Sequence, residues 1–485
     1  MSWDLVVLLI GPAAVAVACW FVPLRAARAL TVAAGAVSFA LSVLLVPAGA
    51  PTTALSGWLR VDSLSVVFLV AVTFLYALTA IFAVGYVHPD GDTAARARYS
   101  RRFFAGLNVF CWSMAVACLV NGLALLWVAV EVTTVVSALL VAIDDTDGAT
   151  EAAWKYVLIA SMGLGIGLLA TIVMYYAGAQ VFGDAYELFY PKLLASAAHF
   201  PPAVVRLSFV LAVLGFGTKM GLVPVHTWLP DAHSEAPTPV SALLSGSLLA
   251  VSFYAILRFF QIAVRAVGPT FPRDVLLAFG LASLGLAALY LASQRDLKRL
   301  FAYSSVEHMG ILAIGMSFSA PIAVVGVLLH VLAHAAAKGT AFFGAGSVVR
   351  KLGTKDITRI RGGIGALPWS GPMLVLAVLG LCAMPPGGMF RSELLIVSGG
   401  LADPADAVVA VLVVLVTVAS LGLSFFGTQT MLGPTPDTVV KGETSWMVVT
   451  AMLLGLGGLT LLGVHPPGAL SHLLERAAAE LGAPR

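Results

Sequence analysis

Residues 205–224 read Val205-Arg-Leu-Ser-Phe-Val-Leu-Ala-Val-Leu-Gly-Phe-Gly-Thr-Lys-Met-Gly-Leu-Val-Pro224. A chiefly apolar stretch of about 20 residues is what a helix needs to cross about 30 Å of hydrocarbon, yet this one carries Lys219. Gly217, Gly221 and Pro224 interrupt the helical pattern around that lysine. The stretch reads as a membrane helix broken beside a charge. A second break stands at Met384-Pro-Pro-Gly-Gly-Met-Phe-Arg-Ser-Glu393. Two interrupted spans at corresponding positions in two halves point to a transport site, and their odd separation in helix count makes the halves inverted.

The same character runs through the chain. Of 485 residues, 60% are hydrophobic and 11% charged, against about 25% charged in an ordinary soluble domain. In lipid the backbone must satisfy its own polar groups, which selects helices. The expected fold is all-α and integral to the membrane. About fourteen spans are predicted, near 4–23, 29–46, 62–85, 103–121, 123–143, 152–177, 205–228, 238–265, 275–293, 298–316, 321–349, 370–400, 405–430 and 445–464. The first lacks a basic leader and carries Asp4, so it reads as a retained span rather than a signal peptide. An amphipathic stretch at 470–481 is expected along the membrane surface. No linker divides the chain, which reads as one membrane domain.

Lys and Arg crowd alternate loops, at Arg96 to Arg102, Arg295 to Arg299 and Arg350 to Arg361. These are expected to be cytoplasmic, which places both termini outside. A net charge of +3 with no basic run interleaved with aromatics excludes a nucleic-acid binder. Cys19, Cys111, Cys118 and Cys382 lie in apolar stretches without CxxC spacing. No cofactor is therefore expected in this chain, and redox chemistry falls to partners.

A charge at a helix centre costs about 2.5 to 3.5 kcal/mol on insertion scales, so each one calls for a reason. Glu131 follows a run of apolar residues and precedes Thr133 and Thr134. It reads as a proton carrier or as a carboxylate tying two helices. Lys219 lies where a helix break frees carbonyls to hold an ammonium. Burial disfavours the ammonium and a nearby carboxylate favours it, so a Glu–Lys pair can exchange a proton. The alternative is a static salt bridge. His330, His334 and Lys338 follow at i, i+4 and i+8, one face of a helix, and suit a water-assisted proton relay. Taken alone, His330 reads equally as a core residue. Two histidines at this spacing begin a metal site, but no third ligand is evident and the lysine opposes a cation, so no metal is expected. Glu393 follows the second break as an exit group. Glu307 and His308, just after the basic loop, could load protons from that side or cap an interface. His226, Asp231, His233 and Glu235 cluster in a proline-stiffened loop, either a proton-collecting mouth or a solvated hairpin. Asp62 reads as an N-cap.

The run from Gly217 to Ala242, with Tyr303-Ser-Ser-Val-Glu-His-Met-Gly310, His334-Ala-Ala-Ala-Lys338 and Pro385-Pro-Gly-Gly-Met-Phe-Arg-Ser-Glu393, resembles the proton-translocating, antiporter-like subunits of complex I, membrane-bound hydrogenases and multi-subunit cation/proton antiporters. The Glu-His pair and the Lys four residues after a His look most like the hydrogenase-4, or formate-hydrogenlyase, branch. The resemblance implies fourteen helices, with N-terminal helices at 1–102, inverted five-helix repeats at 103–270 and 271–435, and a last helix and tail at 436–485. It implies a proton path through Glu131, Lys219, His334, Lys338 and Glu393. It also implies sister membrane subunits, a hydrophilic redox arm and a prokaryotic plasma membrane. One departure stands out: where many relatives carry an eighth-helix lysine, this chain has Ala250. The half-channels must then join through water near Ser247, Ser252 or His226, or be disconnected. Besides a redox-driven proton subunit, the residues admit a sodium/proton antiporter module and a non-conducting anchor.

Overall fold

The computed structural model describes residues 3–87, 93–183, 186 and 188–482. The chain ends at Met1 and Arg485, which the charge pattern assigns to one side, lie outside them. The first half contains α1 (Trp3–Phe21), α2 (Leu24–Leu44), α3 (Ser63–Tyr86), α4 (Thr93–Leu119), α5 (Leu123–Val141), α6 (Asp147–Phe182), α7 (Tyr190–Ser196), α8 (Pro202–Met220), α9 (Leu229–Glu235), α10 (Thr238–Leu243) and α11 (Leu249–Val267). The second contains α12 (Thr270–Leu291), α13 (Leu297–Ser317), α14 (Pro321–Leu352), α15 (Gly363–Ala366), α16 (Ser370–Leu381), α17 (Gly388–Ala402), α18 (Asp406–Met431), α19 (Trp446–Val464) and α20 (Gly468–Glu480). Between α2 and α3 a small hairpin pairs β1 (Thr52–Ala54) antiparallel with β2 (Leu59–Val61). Its three-residue strands are too short to leave a readable alternation, and no strand was expected there.

Among the described residues, 12 helices are long and apolar enough to cross a membrane. The tenth and twelfth expected positions are filled differently. The helix α13 carries Lys298, Arg299 and Glu307, and the twelfth is split into α16 and α17 around the second break. The fold is an all-α, multi-span membrane bundle. Its centre is Thr238–Val267, buried along 100% of its apolar window, with α14 beside it at 89%. The outer walls α1 and α18 are each only 28% buried, and their apolar outer faces match a lipid surround.

Local chemistry sets the ends. Asp62 caps α3 by accepting Ser65 N–H at 3.0 Å, as its position in the sequence implies. The Asp296 carboxylate caps α13 through the Lys298 and Arg299 N–H groups. Thr146 caps α6 through Ala149 N–H, and that helix runs on to Phe182, beyond both expected bounds. The Ala- and Arg-rich run after Thr93 forms helix readily and starts α4 well before residue 103. At the first break, Gly221 adopts φ +85, and its N–H and that of Leu222 close on the Gly217 carbonyl, both at 2.9 Å.

Each broken helix lies against a long one through glycine. A Cβ on Gly215 of α8 would stand 2.3 Å from Gly167 N in α6, and one on Gly326 of α14 would stand 2.9 Å from Ile396 N in α17. In lipid, close backbone approach of this kind replaces the hydrophobic drive to associate.

A buried polar knot ties the first half to the chain end. Arg258 of α11 forks onto Asp62, with Nη1 to Oδ2 at 2.9 Å and Nη2 to Oδ1 at 2.6 Å. It also donates to Ser65 Oγ, the Tyr254 hydroxyl and Gln261 Oε1. Glu480 of α20 accepts the Ser63 and Leu64 N–H groups at 3.1 and 3.0 Å. The expected surface tail is thus a docked helix, with Leu473, Leu474 and Ala477 buried.

Candidate functional site

Lys219 lies in the last turn of α8, fully buried. Its ammonium donates to the Val130 carbonyl at 2.9 Å, to Thr133 Oγ1 at 2.6 Å and to Thr134 Oγ1. These acceptors match the three protons of an ammonium, and all belong to α5. Two expectations change. The carbonyls around the break do not hold Lys219, because Trp228 Nε1 takes that of Thr218 at 2.7 Å and the closing turn takes that of Gly217. Nor does the ammonium pair with Glu131, whose Oε1 receives Ser161 Oγ at 3.4 Å while its buried Oε2 has no protein partner. Glu131 stands beside the cradle rather than in it. Thr133 and Thr134, the missed members, were visible as the polar residues following Glu131 in an apolar span.

In the second half three helices converge. From α14 come His330, His334 and Lys338, all fully buried. The His308 ring of α13 lies 5.2 Å from that of His330 and 5.3 Å from that of His334. Glu393 of α17 brings Oε1 to 4.0 Å from His308 Nδ1, and neighbouring Ser392 Oγ lies 2.9 Å from His330 Nδ1. Lys338 donates to the Phe301 carbonyl at 3.0 Å. Glu307 and His308 therefore do not cap an interface. Because α13 begins at Leu297, they sit about 15 Å along it, and both are buried. His330 is a core residue by burial and also a member of a three-imidazole cluster.

Between the halves, Ala250 follows a turn of π-helix at Leu244–Leu248, a distortion found mostly at functional sites. Ser245 Oγ in that turn lies 2.7 Å from Ser305 Oγ, and Ser305 donates to the Phe301 carbonyl at 3.0 Å. That carbonyl also receives Lys338, so a hydroxyl pair stands one acceptor away from the lysine. Of the groups expected to bridge the halves, Ser252 is bonded to its own helix at Leu248 O, whereas the buried Ser247 hydroxyl has no protein partner. His226 lies against Tyr303, ring centroids 6.5 Å apart.

The loop cluster divides. Asp231 is ion-paired with Lys155 at 3.3 Å and with Arg299, and Glu235 pairs with Lys355 at 2.5 Å. These groups line a surface recess of about 300 Å³. His233 instead turns inward, fully buried, stacked 5.3 Å from Phe342 of α14. It belongs to α9 rather than to a loop, which the proline-rich sequence did not show.

Polar atoms without a protein partner concentrate along this row, on Glu131, Glu307, His308, His330, His334 and Glu393. Each would cost about 1–3 kcal/mol if left dry and unbonded. Such groups ordinarily have water as a partner, which makes water the expected partner of each of these atoms.

Residues 120–421 match the family described as NADH:quinone oxidoreductase/Mrp antiporter, TM, and residues 51–104 match NADH-Ubiquinone oxidoreductase (complex I), chain 5 N-terminus. The chain belongs to this family of antiporter-like membrane subunits. It is 36% identical over 345 residues to Hydrogenase-4 component F homolog of Methylacidiphilum infernorum (isolate V4), covering 70% of this chain and 72% of that one. Its fold matches a chain of the membrane-bound sulfane sulfur reductase, an archaeal respiratory membrane complex, with TM-score 0.85, 20% identity and coverage of 98% and 97%. It also matches a chain of respiratory complex I from Thermus thermophilus with bound NADH, with TM-score 0.81, 23% identity and coverage of 99% and 100%.

Proposed function

We propose that this chain is the proton-translocating membrane subunit of a hydrogenase-type or respiratory oxidoreductase complex. The observation that carries the reading is the set of titratable groups inside the bundle, half-buried at Glu131 and Glu393 and fully buried at Lys219, Lys338 and the imidazoles. Redox chemistry in a hydrophilic partner arm would change the charge near Glu131 and loosen Lys219 from its cradle. A proton would then pass by way of water and the Ser245–Ser305 pair to Lys338, and onward past His334, His330 and His308 to Glu393. Hydroxyls and ring nitrogens can each give and take a proton, as such a chain requires.

The division into N-terminal helices at 1–102, inverted repeats at 103–270 and 271–435, and a final segment at 436–485 is part of the proposal. The matching glycine contacts of the two broken helices support it. So is the orientation, with the Asp231, Arg299 and Lys355 network facing the cytoplasm and both termini outside a prokaryotic plasma membrane. The apolar outer faces of α1 and α18 suit lipid or sister subunits.

Membrane vesicles containing the whole complex test the proposal through a fluorescent record of internal pH. Electron donor alone is expected to drive proton movement, independent of sodium. Exchange driven by a sodium gradient without a donor would instead establish an antiporter, and full electron transfer without proton movement would establish an anchor. Ser305→Ala removes the hydroxyl partner of Ser245 and is expected to slow proton movement about tenfold, the kinetic equivalent of one lost hydrogen bond, with electron transfer retained.

A further inference from the structure

We propose that His308, His330 and Glu393 form a buried site for a divalent cation of the Zn²⁺ class, between α13, α14 and α17. Ligand atoms from these three residues all lie within 4.8 Å of one another. A tetrahedral zinc with ordinary Zn–N and Zn–O bonds needs neighbouring donors about 3.3 Å apart. Small side-chain rotations close that gap; one pair, His308 Nδ1 and Glu393 Oε1, stands at 4.0 Å. Two imidazoles and one carboxylate are a set that zinc accepts while keeping a further position open. Water can fill it.

The tautomer is also prepared. Ser392 Oγ donates to the Met389 carbonyl at 2.8 Å, which leaves its oxygen to accept from His330 Nδ1 at 2.9 Å. His330 Nε2 then carries a bare lone pair, and it has no protein partner. Orientation of a metal-binding imidazole through its other nitrogen is the usual outer-shell arrangement. Charge favours a cation as well. Glu393 and Glu307 together can offset two positive charges, while the opposing ammonium of Lys338 is held at the Phe301 carbonyl. Glu393 remains 12% exposed at its side chain, which provides a way in. A proton relay uses one lone pair at a time, whereas three converging on one point can hold a metal. An ion there would occupy the groups that the relay needs.

The test uses the full-length purified chain in detergent, stripped of metal and titrated with ZnCl₂ or CoCl₂ in the absence of electron donor. Its result is therefore independent of whether the chain moves protons. The expected result is one equivalent bound at micromolar or lower concentration, the strong visible absorption of tetrahedral Co²⁺, and a zinc-dependent rise in melting temperature. His330→Gln and Glu393→Gln are each expected to weaken binding by at least about 100-fold, and Ser392→Ala by about 10- to 100-fold. His472→Gln, at an exposed histidine, leaves it unchanged. Absence of stoichiometric binding by the folded wild-type chain overturns the site. So does equal binding by the wild type, His330→Gln and Glu393→Gln, or, should those two not fold, by Ser392→Ala.

Discussion

Replacing Lys219 with alanine is expected to abolish redox-driven proton movement, by at least about 100-fold, while the complex still assembles. The ammonium is held by one carbonyl and two hydroxyls of α5 rather than by a carboxylate. Its loss therefore leaves no partner ion stranded in the cradle. Thr133 Oγ1 already donates to the Val130 carbonyl at 2.6 Å, so that acceptor remains satisfied in the variant. A role confined to holding helices together predicts poor assembly. A carrier role predicts normal copurification of partner subunits with no acidification. Lys219→Arg separates these further, because a guanidinium keeps the charge but does not release its proton. It should assemble and remain inactive. Undiminished acidification by the alanine variant would remove Lys219 from the path.

The second large effect is on stability. Arg258→Met removes the cation from a buried knot and leaves the Asp62 carboxylate with the Ser65 N–H and hydroxyl as close donors. Breaking one side of a buried, hydrogen-bonded ion pair costs about 3–5 kcal/mol. A marked drop in the melting temperature of the detergent-solubilised protein is expected, followed by tryptophan fluorescence. The double variant Asp62→Asn/Arg258→Met should recover part of the loss, since the carboxylate then left with only the more distant Arg60, at 4.0 Å, is gone. If the single variant melts with the wild type, the knot contributes little to stability.

The membrane class and the two breaks were legible because spans and their Gly and Pro interruptions are local signals. The positions of Lys219, Lys338 and Glu393 within apolar runs were legible for the same reason. What each charge touches was not. Lys219 finds partners on a helix 85 to 89 positions earlier in the chain, and a threonine near a glutamate carries no local mark of who will bond it. Glu307 and His308 looked interfacial because basic residues precede them, yet a capped start at Asp296 carries the helix inward past both. Ser245 and Ser305 meet across 60 positions, and the meeting depends on a π turn that periodicity does not register. The two donors that stand beside His330 are absent from its own helix and come from α13 and α17.

One feature of the fold bears on biogenesis. The Glu480 carboxylate that completes the start of α3 lies 417 positions downstream of Ser63, and a ribosome delivers it only after nearly every other helix has entered the bilayer. Throughout that interval the Ser63 and Leu64 amides lack their native acceptor, so the start of α3 is completed only when α20 docks. A chain interrupted before its final turns should remain open at that end, where a quality-control protease can find it.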